Sequence, residues 1–490
     1  MSVRSAERCS RAVRDRSPLG TAGKHAVRAG DKSRMTAMPV AQRLMPPGPR
    51  GSLMYGVTAE LRRDPLRSLE QMVQRYGPAV RFHYALGQWA YLFTSPEHYR
   101  RILVQNHQNY TKQHPAYAVL AVALGNGLVT SDGDEWLRNR RRIQPAFHST
   151  AVRGFGSAIV RHAWQMLERW ERADSDVLDI EREMMRLTLG IVGETLFGVS
   201  LEEHTREVGE SFSSFNTALA AITASPLSLL SARYPLTRPS RQLHTAARRL
   251  RAVVDAIIAA KGEQLEQASV PDDLLSVLLS QIHTGDRMSI PQVRDEVMTF
   301  LLAGHETSAT ALTWTLCLIG QHTEAARRIN EEIEIVLGGR APSVDDIPRL
   351  VNVRAAALEA MRLFPPIYAF ERHAVADDVV GGYDVPAGAS ITLCPYITHR
   401  APEFWEAPER FLPERFCGDG SHDRFAYIPF SAGPRGCIGE SFAMTEILLI
   451  LATVLQRYQL RCRSNVIVQP VPLITLRPAG GMPMVVTRLH

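Results

Sequence analysis

The sequence predicts a mainly α-helical fold with small β-sheets (α+β), and three observations support this fold class. Residues 152 to 282 carry successive amphipathic helical patterns. A helical pattern without a breaker then runs from Ser289 to Gly320, and beyond Gly381 glycines and prolines divide the chain into short strands. With 45% hydrophobic and 22% charged residues, the 490-residue chain has the composition of a folded globular protein. Collagen-like, disordered and multi-span membrane classes are therefore excluded.

The first 45 residues differ in composition from the rest of the chain. They are rich in Arg, Ser and Gly, and they end at Pro46-Pro47-Gly48-Pro49, which cannot continue a helix. Residues 1–34 carry the whole formal charge of +6, so the basic balance does not indicate a nucleic-acid partner. We expect a disordered basic tail over residues 1–45 and one domain over residues 46–490. An Arg-rich, acid-poor leader leaves mitochondrial targeting as an alternative.

The sequence shows no sign of a transmembrane anchor or a disulfide framework. Its most apolar run, Ile447–Leu455, is far shorter than the ~20 residues that a spanning helix needs. The six cysteines include no Cys-x-x-Cys pair, so they do not indicate a disulfide framework. Only four of the 56 basic residues are lysine, a bias that is typical of GC-rich bacteria. We expect a monomer in the reducing bacterial cytoplasm.

The long helix and the strands have recognisable boundaries. Ser289 is a predicted N-cap, with Gln292 three residues later, and about 32 residues at ~1.5 Å each give a rod of about 48 Å. The helix is apolar on most sides, so it must run through the centre of the molecule. Alternation and aromatic residues predict paired strands over Ala79–Tyr84 and Trp89–Thr94, and Ser390–Leu393 is a further strand.

The strongest chemical signal is the segment from Phe430 to Gly439, which an apolar helix follows at once. Cys437 lies in a Gly-rich turn immediately before the helix N-terminus, where the helix dipole and free amides stabilise a thiolate. The glycines allow the backbone to approach a large flat group. A thiolate can be the axial ligand of a haem iron, and Arg435 is placed to meet an anionic group such as a propionate. A buried structural cysteine is the alternative.

These residues resemble the haem-binding signature of the cytochrome P-450 superfamily, the haem-thiolate monooxygenases. Phe430, Gly433, Arg435, Cys437 and Gly439 occupy its five fixed positions. The resemblance implies a single-domain cytochrome P-450 fold of the soluble bacterial type. It also implies haem b (iron protoporphyrin IX), held between the long central helix and the cysteine-loop helix, with Cys437 as the metal ligand.

Midway along the long helix, Gly304 and the Glu306-Thr307 pair interrupt an apolar pattern. A helix-interior glycine costs about 1 kcal/mol relative to alanine. The segment resembles the family's oxygen-binding segment, in which the helix loosens over the haem. That resemblance implies catalytic roles: Thr307 donates a hydrogen bond during oxygen activation, and Glu306 belongs to the proton relay. A packing notch formed by the glycine and the threonine is the alternative.

A Glu-x-x-Arg motif lies on the helix that Pro365-Pro366 terminates. Glu359 and Arg362 share a helix face, and an ordinary surface pair of this kind contributes at most ~1 kcal/mol. The motif matches one of the same family, and Arg415 matches the arginine that completes a buried Glu–Arg–Arg cluster. The resemblance implies a structural role for these three residues, which hold the cysteine loop in place.

Further matches concern the haem propionates. Trp136 and Arg140 resemble the family's Trp-x-x-x-Arg segment and are expected to reach one propionate, while Arg372 is expected to reach the other. A solvated basic face is the alternative for the neighbouring arginines, and Arg138 and Arg141 fit it best. The family's acidic electron donors commonly dock on the same surface.

The resemblance implies an enzyme that inserts one oxygen atom from O2 into a hydrophobic small molecule. Only 51 residues follow Gly439, too few for a flavin domain, so electrons are expected from a separate ferredoxin or flavodoxin with its NAD(P)H reductase. By analogy the pocket is lined by the Tyr117–Leu128 loop, Ala218–Ala232, Phe300–Thr307 and Ile367–Phe370. Their apolar residues favour a fatty-acid-like or terpenoid substrate.

Three alternatives remain open at this point. The first is a peroxide-driven or isomerising haem-thiolate enzyme, which the Glu306-Thr307 pair argues against. The second is a haem-binding sensor or electron carrier without a substrate. The third is a helical binding protein without haem.

Overall fold

Helices supply most of the fold in the computed structural model, which describes residues 44–489 except 53–55, 85–88, 224–233, 268–272, 283–287, 419–422 and 464–467. The residues from Leu44 onward belong to one compact unit. Residues 1–43 of the predicted tail lie outside the described residues. The α-helices of the described ranges are α1 Thr58–Arg63, α2 Pro65–Tyr76, α3 Pro96–Arg100, α4 Pro115–Leu124, α5 Gly133–Ile143, α6 Ser149–Gly154, α7 Gly156–Glu171, α8 Ile180–Phe197, α9 Thr205–Thr223, α10 Arg238–Gln267, α11 Leu274–Ser280, α12 Ile290–Gln321, α13 Thr323–Leu337, α14 Val351–Leu363, α15 Pro395–Thr398 and α16 Glu440–Arg457.

The strands form small sheets, as predicted. They are β1 Ala79–His83, β2 Trp89–Phe93, β3 Tyr110–Thr111, β4 Val177–Asp179, β5 Phe370–Ala374, β6 Asp378–Val380, β7 Tyr383–Val385, β8 Ser390–Leu393, β9 Tyr458–Cys462, β10 Pro470–Pro472, β11 Leu476–Pro478 and β12 Pro483–Arg488. The largest described sheet has the order β1-β2-β8-β5-β3, a second has the order β4-β12-β9, and β6-β7 and β10-β11 are two-stranded. Within the largest sheet β2 and β8 are parallel, and β5 pairs antiparallel with β8, which places Arg372 opposite Ile391.

The central helix α12 begins and ends where the sequence predicts, within one residue. The Ser289 hydroxyl accepts from the Gln292 N–H (3.4 Å), and the Gln292 side chain accepts in return from the Ser289 N–H (2.9 Å). The helix is buried on nearly all sides and packs against α8, α10, α14, α16 and β9. A helix that is buried on nearly all sides belongs in the core, and α12 carries Glu306 and Thr307 there.

The stretch from Tyr117 to Leu128 is not a loop throughout, contrary to the prediction. Its first eight residues belong to α4, which begins at Pro115 after His114 accepts a hydrogen bond from the Ala116 N–H (3.2 Å). The alanine-rich sequence favours helix until Gly125. In the predicted Ala218–Ala232 stretch, the residues up to Thr223 belong to α9 and the rest lie outside the described residues.

The expected loosening of α12 over the site does not interrupt the helix. The helix is continuous through Gly304. The glycine instead allows close packing, because a Cβ at this position would lie 3.0 Å from Cγ2 of Val192 on α8. Among the described helices none is long and apolar enough to cross a membrane.

Candidate active site

The cysteine loop is a tight turn that presents Cys437 at the start of α16. The Cys437 N–H donates to the Phe430 carbonyl (2.9 Å), and the Gly436 N–H donates to the Gly433 carbonyl (2.9 Å). Gly433 has φ +71°, and a Cβ there would lie 1.9 Å from the Leu103 carbonyl oxygen, so only glycine fits. Backbone contacts therefore fix the position of the sulfur.

The Cys437 side chain borders a cavity of about 940 Å³, which is also lined by Arg140, Phe147, Phe430 and Met444. Burial raises the pKa of the Cys437 thiol to about 11, although the Gly439 N–H acts in the opposite direction. The Gly439 amide therefore favours the thiolate, as expected for this turn, but desolvation outweighs its effect. A metal ion bound to the sulfur would offset this desolvation, since a coordinating thiol is deprotonated outright.

The structure places Arg435, which is partly buried in the loop, within electrostatic range of the buried Arg372. Arg435 donates to the Ser131 carbonyl (3.0 Å) and pairs with Asp132, and its guanidinium lies 4.2 Å from the centre of the Trp136 ring. Arg372 is 4% exposed and donates to the Glu371 carbonyl (2.8 Å) and the Tyr117 hydroxyl (3.3 Å). A cation–π contact therefore holds Arg435, and strand β5 positions Arg372.

A third cation, Lys112, belongs to the same region and was not predicted. Its ammonium donates to the Val129 carbonyl (2.7 Å). Burial, followed by the charges of Arg372 and Arg435, holds the pKa of Lys112 well below its usual range, against the opposing effect of Asp132. Such a cluster is unfavourable without a further anion. The one signal in the sequence is that Lys112 is one of only four lysines.

Arg140 contacts the cysteine loop itself. Its guanidinium donates to the Gly436 carbonyl (2.9 Å), next to the reactive cysteine. Trp136 lies one helical turn earlier on α5 and contacts Arg435. The structure thus brings Trp136 and Arg140 to one helix face, where they contact two neighbouring residues of the loop, and their expected contact with a propionate stays a prediction.

Glu359, Arg362 and Arg415 meet in one cluster. The Arg362 guanidinium donates twice to the Glu359 carboxylate (2.7 and 2.8 Å), and Arg415 donates to it at 3.3 Å. Arg362 also donates to the carbonyls of His399 and Pro408 (2.7 Å each). The cluster therefore ties α14 to the chain segment that leads to the cysteine loop.

Thr307 lies on the face of α12 that also carries Ala303 and Phe300. Its hydroxyl donates to the Ala303 carbonyl (2.7 Å). Phe300 stacks on Phe147, with ring centroids 5.2 Å apart, and a Cβ at Gly439 would lie 3.8 Å from the Phe147 ring. This face of α12 is therefore linked to the cysteine loop through one aromatic residue.

Glu306 points to a different side of α12, because successive residues of a helix are about 100° apart. Its carboxylate accepts from the Asn216 amide (2.7 Å) and the Thr475 hydroxyl (2.9 Å), and its second oxygen has no partner within the described ranges. Burial raises the pKa of Glu306, and the charge of Arg477 acts in the opposite direction. The structure thus does not bring Glu306 and Thr307 side by side, and sequence reasoning missed Asn216 and Thr475.

A second cavity, of about 630 Å³, reaches Glu306. Its walls carry charges of both signs, including Glu181, Arg182 and Arg477. Arg477 pairs with Glu181 across it (2.6 Å). A polar cavity of this size can hold water.

These residues fit a haem. One thiol faces a cavity, a glycine turn allows close approach, and buried cations exceed the carboxylates beside them, which suits the two propionates. A helix-rich fold with this arrangement defines the haem-thiolate class of proteins.

Comparison with known proteins agrees with that class. The family model described as Cytochrome P450 matches residues 46–482, and the chain belongs to the cytochrome P450 family. It is 34% identical to cyclooctat-9-en-7-ol 5-monooxygenase of Streptomyces melanosporofaciens, over 88% of this chain and 93% of that protein. It is 32% identical to cyclooctatin synthase of the same organism, over 89% and 94%, and 29% identical to the chloroplastic carotene epsilon-monooxygenase of Arabidopsis thaliana, over 86% and 81%. The protein is thus a P450 monooxygenase that uses haem iron, O2 and a redox partner on hydrophobic substrates.

Proposed function

We propose that this enzyme uses haem b to insert one oxygen atom from O2 into an apolar terpenoid, with electrons from a separate ferredoxin or flavodoxin and its NAD(P)H reductase. The observation that carries the proposal is the glycine turn that fixes Cys437 by backbone contacts, two residues from Arg435, which lies within electrostatic range of Arg372 and Lys112. When bound, the haem supplies the iron at which O2 is activated.

Each protein group near the haem has a distinct role in this proposal. Cys437 is the iron ligand, and Arg372, Arg435 and Lys112 neutralise the propionates. Trp136 holds Arg435, and Arg140 holds the loop. Phe430, Gly433 and Gly439 shape the loop around the sulfur, and Glu359, Arg362 and Arg415 fix the segment that leads to it.

Glu306 and Thr307 deliver protons in our proposal. Thr307 holds its hydroxyl proton at the Ala303 carbonyl in this structure, on the side of α12 that is linked to the cysteine loop. One carboxylate oxygen of Glu306 has no hydrogen-bond partner among the described residues and lies at the polar cavity, so water there can pass protons to it. Asn216 and Thr475 keep the carboxyl oriented. The acid–alcohol pair also favours an O2-dependent enzyme over a peroxide-driven or isomerising one.

Two observations support an apolar substrate. Apolar residues predominate in α4, in the Phe300–Thr307 segment and in Ile367–Phe370, which we propose as pocket walls. The relatives' names give cyclooctat-9-en-7-ol and a carotene as their substrates. A terpenoid is therefore preferred to a fatty acid.

The proposed electron donor is acidic. Arg138 and Arg141 are exposed on α5, the helix from which Arg140 contacts the cysteine loop. An acidic ferredoxin or flavodoxin docked there is close to the iron ligand. The basic tail, the monomeric state and the cytoplasmic location remain predictions, and the comparisons lend no support to mitochondrial targeting.

Turnover under ¹⁸O2 tests the proposal. The purified holoenzyme is supplied with NADPH, a ferredoxin, its reductase and a panel of cyclic terpenoid alkenes and alcohols, with saturated fatty acids as the comparison panel. We expect a terpenoid product that carries one ¹⁸O atom and depends on NADPH. Products formed only with added peroxide support the peroxide-driven alternative. Absence of both product and substrate-induced haem spectral shifts supports a sensor or electron carrier.

A further inference from the structure

Two cysteines that the active site does not use lie against each other. Cys317 on α12 and Cys462 at the end of β9 are 145 positions apart in sequence, and their sulfur atoms are 3.2 Å apart. Both are free thiols. Cys317 is buried and Cys462 is partly exposed, so only one of the two sulfurs is open to a dissolved reagent.

The surroundings make the two sulfurs chemically unlike. The Gln321 amide lies 3.4 Å from the Cys317 sulfur and 3.5 Å from that of Cys462. Hydrogen bonds from Cys317 and Gln321 lower the pKa of Cys462 to about 7, whereas the same contact raises the pKa of Cys317. The accessible sulfur is therefore the one with thiolate character, and thiolate is the reactive form.

We propose that Cys317 and Cys462 are a redox modification site, at which hydrogen peroxide or an organic hydroperoxide forms a reversible disulfide between α12 and β9. This proposal is independent of the substrate and of the proton path. The closest alternative is a pair of structural thiols that pack together without reacting.

The chemistry needs only the peroxide as oxidant. The Cys462 thiolate attacks one oxygen of hydrogen peroxide, the O–O bond breaks, and the leaving hydroxide takes up a proton, which gives a sulfenic acid and water. An organic hydroperoxide is attacked at its terminal oxygen, and its leaving alkoxide takes up the proton to give an alcohol in place of this water. The Cys317 thiol then attacks the Cys462 sulfur, and the leaving hydroxide takes the Cys317 proton as a second water. The two sulfurs lose two electrons in total, and the peroxide gains them.

The disulfide has a structural consequence because it closes a loop of more than 140 residues. Cross-links that close long loops stabilise the folded state by restricting the unfolded chain. In a protein of this size we expect the apparent melting temperature to rise by on the order of 5 °C. Dithiothreitol should reverse the rise.

The test is stepwise peroxide oxidation of the holoenzyme, followed by alkylation under denaturing conditions and peptide mass spectrometry. We expect a Cys317–Cys462 linked peptide that dithiothreitol removes, at peroxide doses that leave Cys394, which is buried, as a free thiol. Cys417, which is exposed, is the internal control and should yield oxyacids rather than a link. In Cys317→Ser, a dimedone probe should label Cys462 as a trapped sulfenic acid.

Three outcomes overturn the proposal. They are sulfinic or sulfonic acid at Cys462 in the wild type without any link to Cys317, oxidation of Cys394 before Cys462, and a melting temperature unchanged by a fully formed link. If Cys317→Ser fails to fold, the wild-type peptide map alone decides between a disulfide and packed thiols.

Discussion

The Arg362 guanidinium donates two hydrogen bonds to the Glu359 carboxylate at a position where neither side chain is exposed to solvent. Glu359 also accepts from the Leu412 N–H (2.9 Å), and Arg362 donates to the Arg410 carbonyl (3.1 Å). Charges removed from water this completely are tolerated only while each one keeps its partners. The pair therefore stabilises the path of the chain toward the cysteine loop.

Glu359→Ala should lower the free energy of unfolding by about 3–5 kcal/mol, because it leaves Arg362 buried and unpaired. Urea unfolding of the purified holoenzyme measures this. Glu324→Ala is the matched control: Glu324 and Arg327 have the same i,i+3 spacing on α13 but are exposed, so no resolvable change is expected. Equal effects of the two substitutions contradict the structural role.

Lys112→Met should keep or raise the stability of the apoprotein but weaken the retention of haem by the holoenzyme. Without haem, the substitution removes a buried cation that Arg372 and Arg435 repel, so stability should stay the same or rise. With haem, a charge-assisted contact to a propionate is lost, and haem should transfer to apomyoglobin about tenfold faster. Arg138→Met, on the exposed face of α5, is the control and should change neither the stability of the apoprotein nor the rate of haem transfer. Unchanged haem transfer in Lys112→Met excludes Lys112 from the haem site.

Thr307→Ala should uncouple NADPH consumption from product formation while the haem spectrum stays normal. The reason is that the hydroxyl which holds a proton beside the site is lost. Thr313→Ala is a matched control, since Thr313 makes the same bond to the carbonyl four residues earlier (2.7 Å). Hydrogen peroxide release and product are measured together. Equal coupling in both variants contradicts the proton role of Thr307.

The charges around Glu306 should shift the pH dependence of turnover in opposite directions. If protonated Glu306 is the donor, turnover falls as the pH rises through its pKa. Arg477 lowers that pKa and Glu181 raises it. Arg477→Gln should therefore move the falling limb to higher pH, Glu181→Gln should move it to lower pH, and Arg477→Lys should leave it near the wild type. If turnover falls at the same pH in the wild type and in all of these variants, Glu306 is not the proton donor.

Short sequence patterns predicted the start of the central helix, three of the strands and the cysteine turn. The capping box of Ser289 and Gln292 predicted the start of α12, alternation predicted β1 and β2 within one residue, and the flanking glycines and prolines predicted β8. The Gly-rich turn before α16 identified Cys437. Each of these signals lies within a few residues of the chain, so tertiary contacts were not needed to read it.

Features that depend on distant packing were not predictable in the same way. Lys112 meets Arg372 and Arg435 because β3, β5 and the cysteine loop converge, and no motif encodes that meeting. The partners of Glu306 come from α9 and from the turn between β10 and β11. Desolvation of the Cys437 sulfur comes from residues that the tertiary structure packs around the loop, so the raised pKa of this thiol could not be predicted from the glycine-rich motif.

The absorption spectrum of the reduced, carbon-monoxide-bound protein tests the central claim, that Cys437 ligates a haem iron, most directly. The account predicts a main band that is strongly shifted to the red in the wild type, because Cys437 would bind the haem iron as a thiolate. It predicts that Cys437→Ala loses this band, and that Cys417→Ala, which removes an exposed cysteine, keeps it. Absence of the band in the wild type, or its persistence in Cys437→Ala, contradicts the claim.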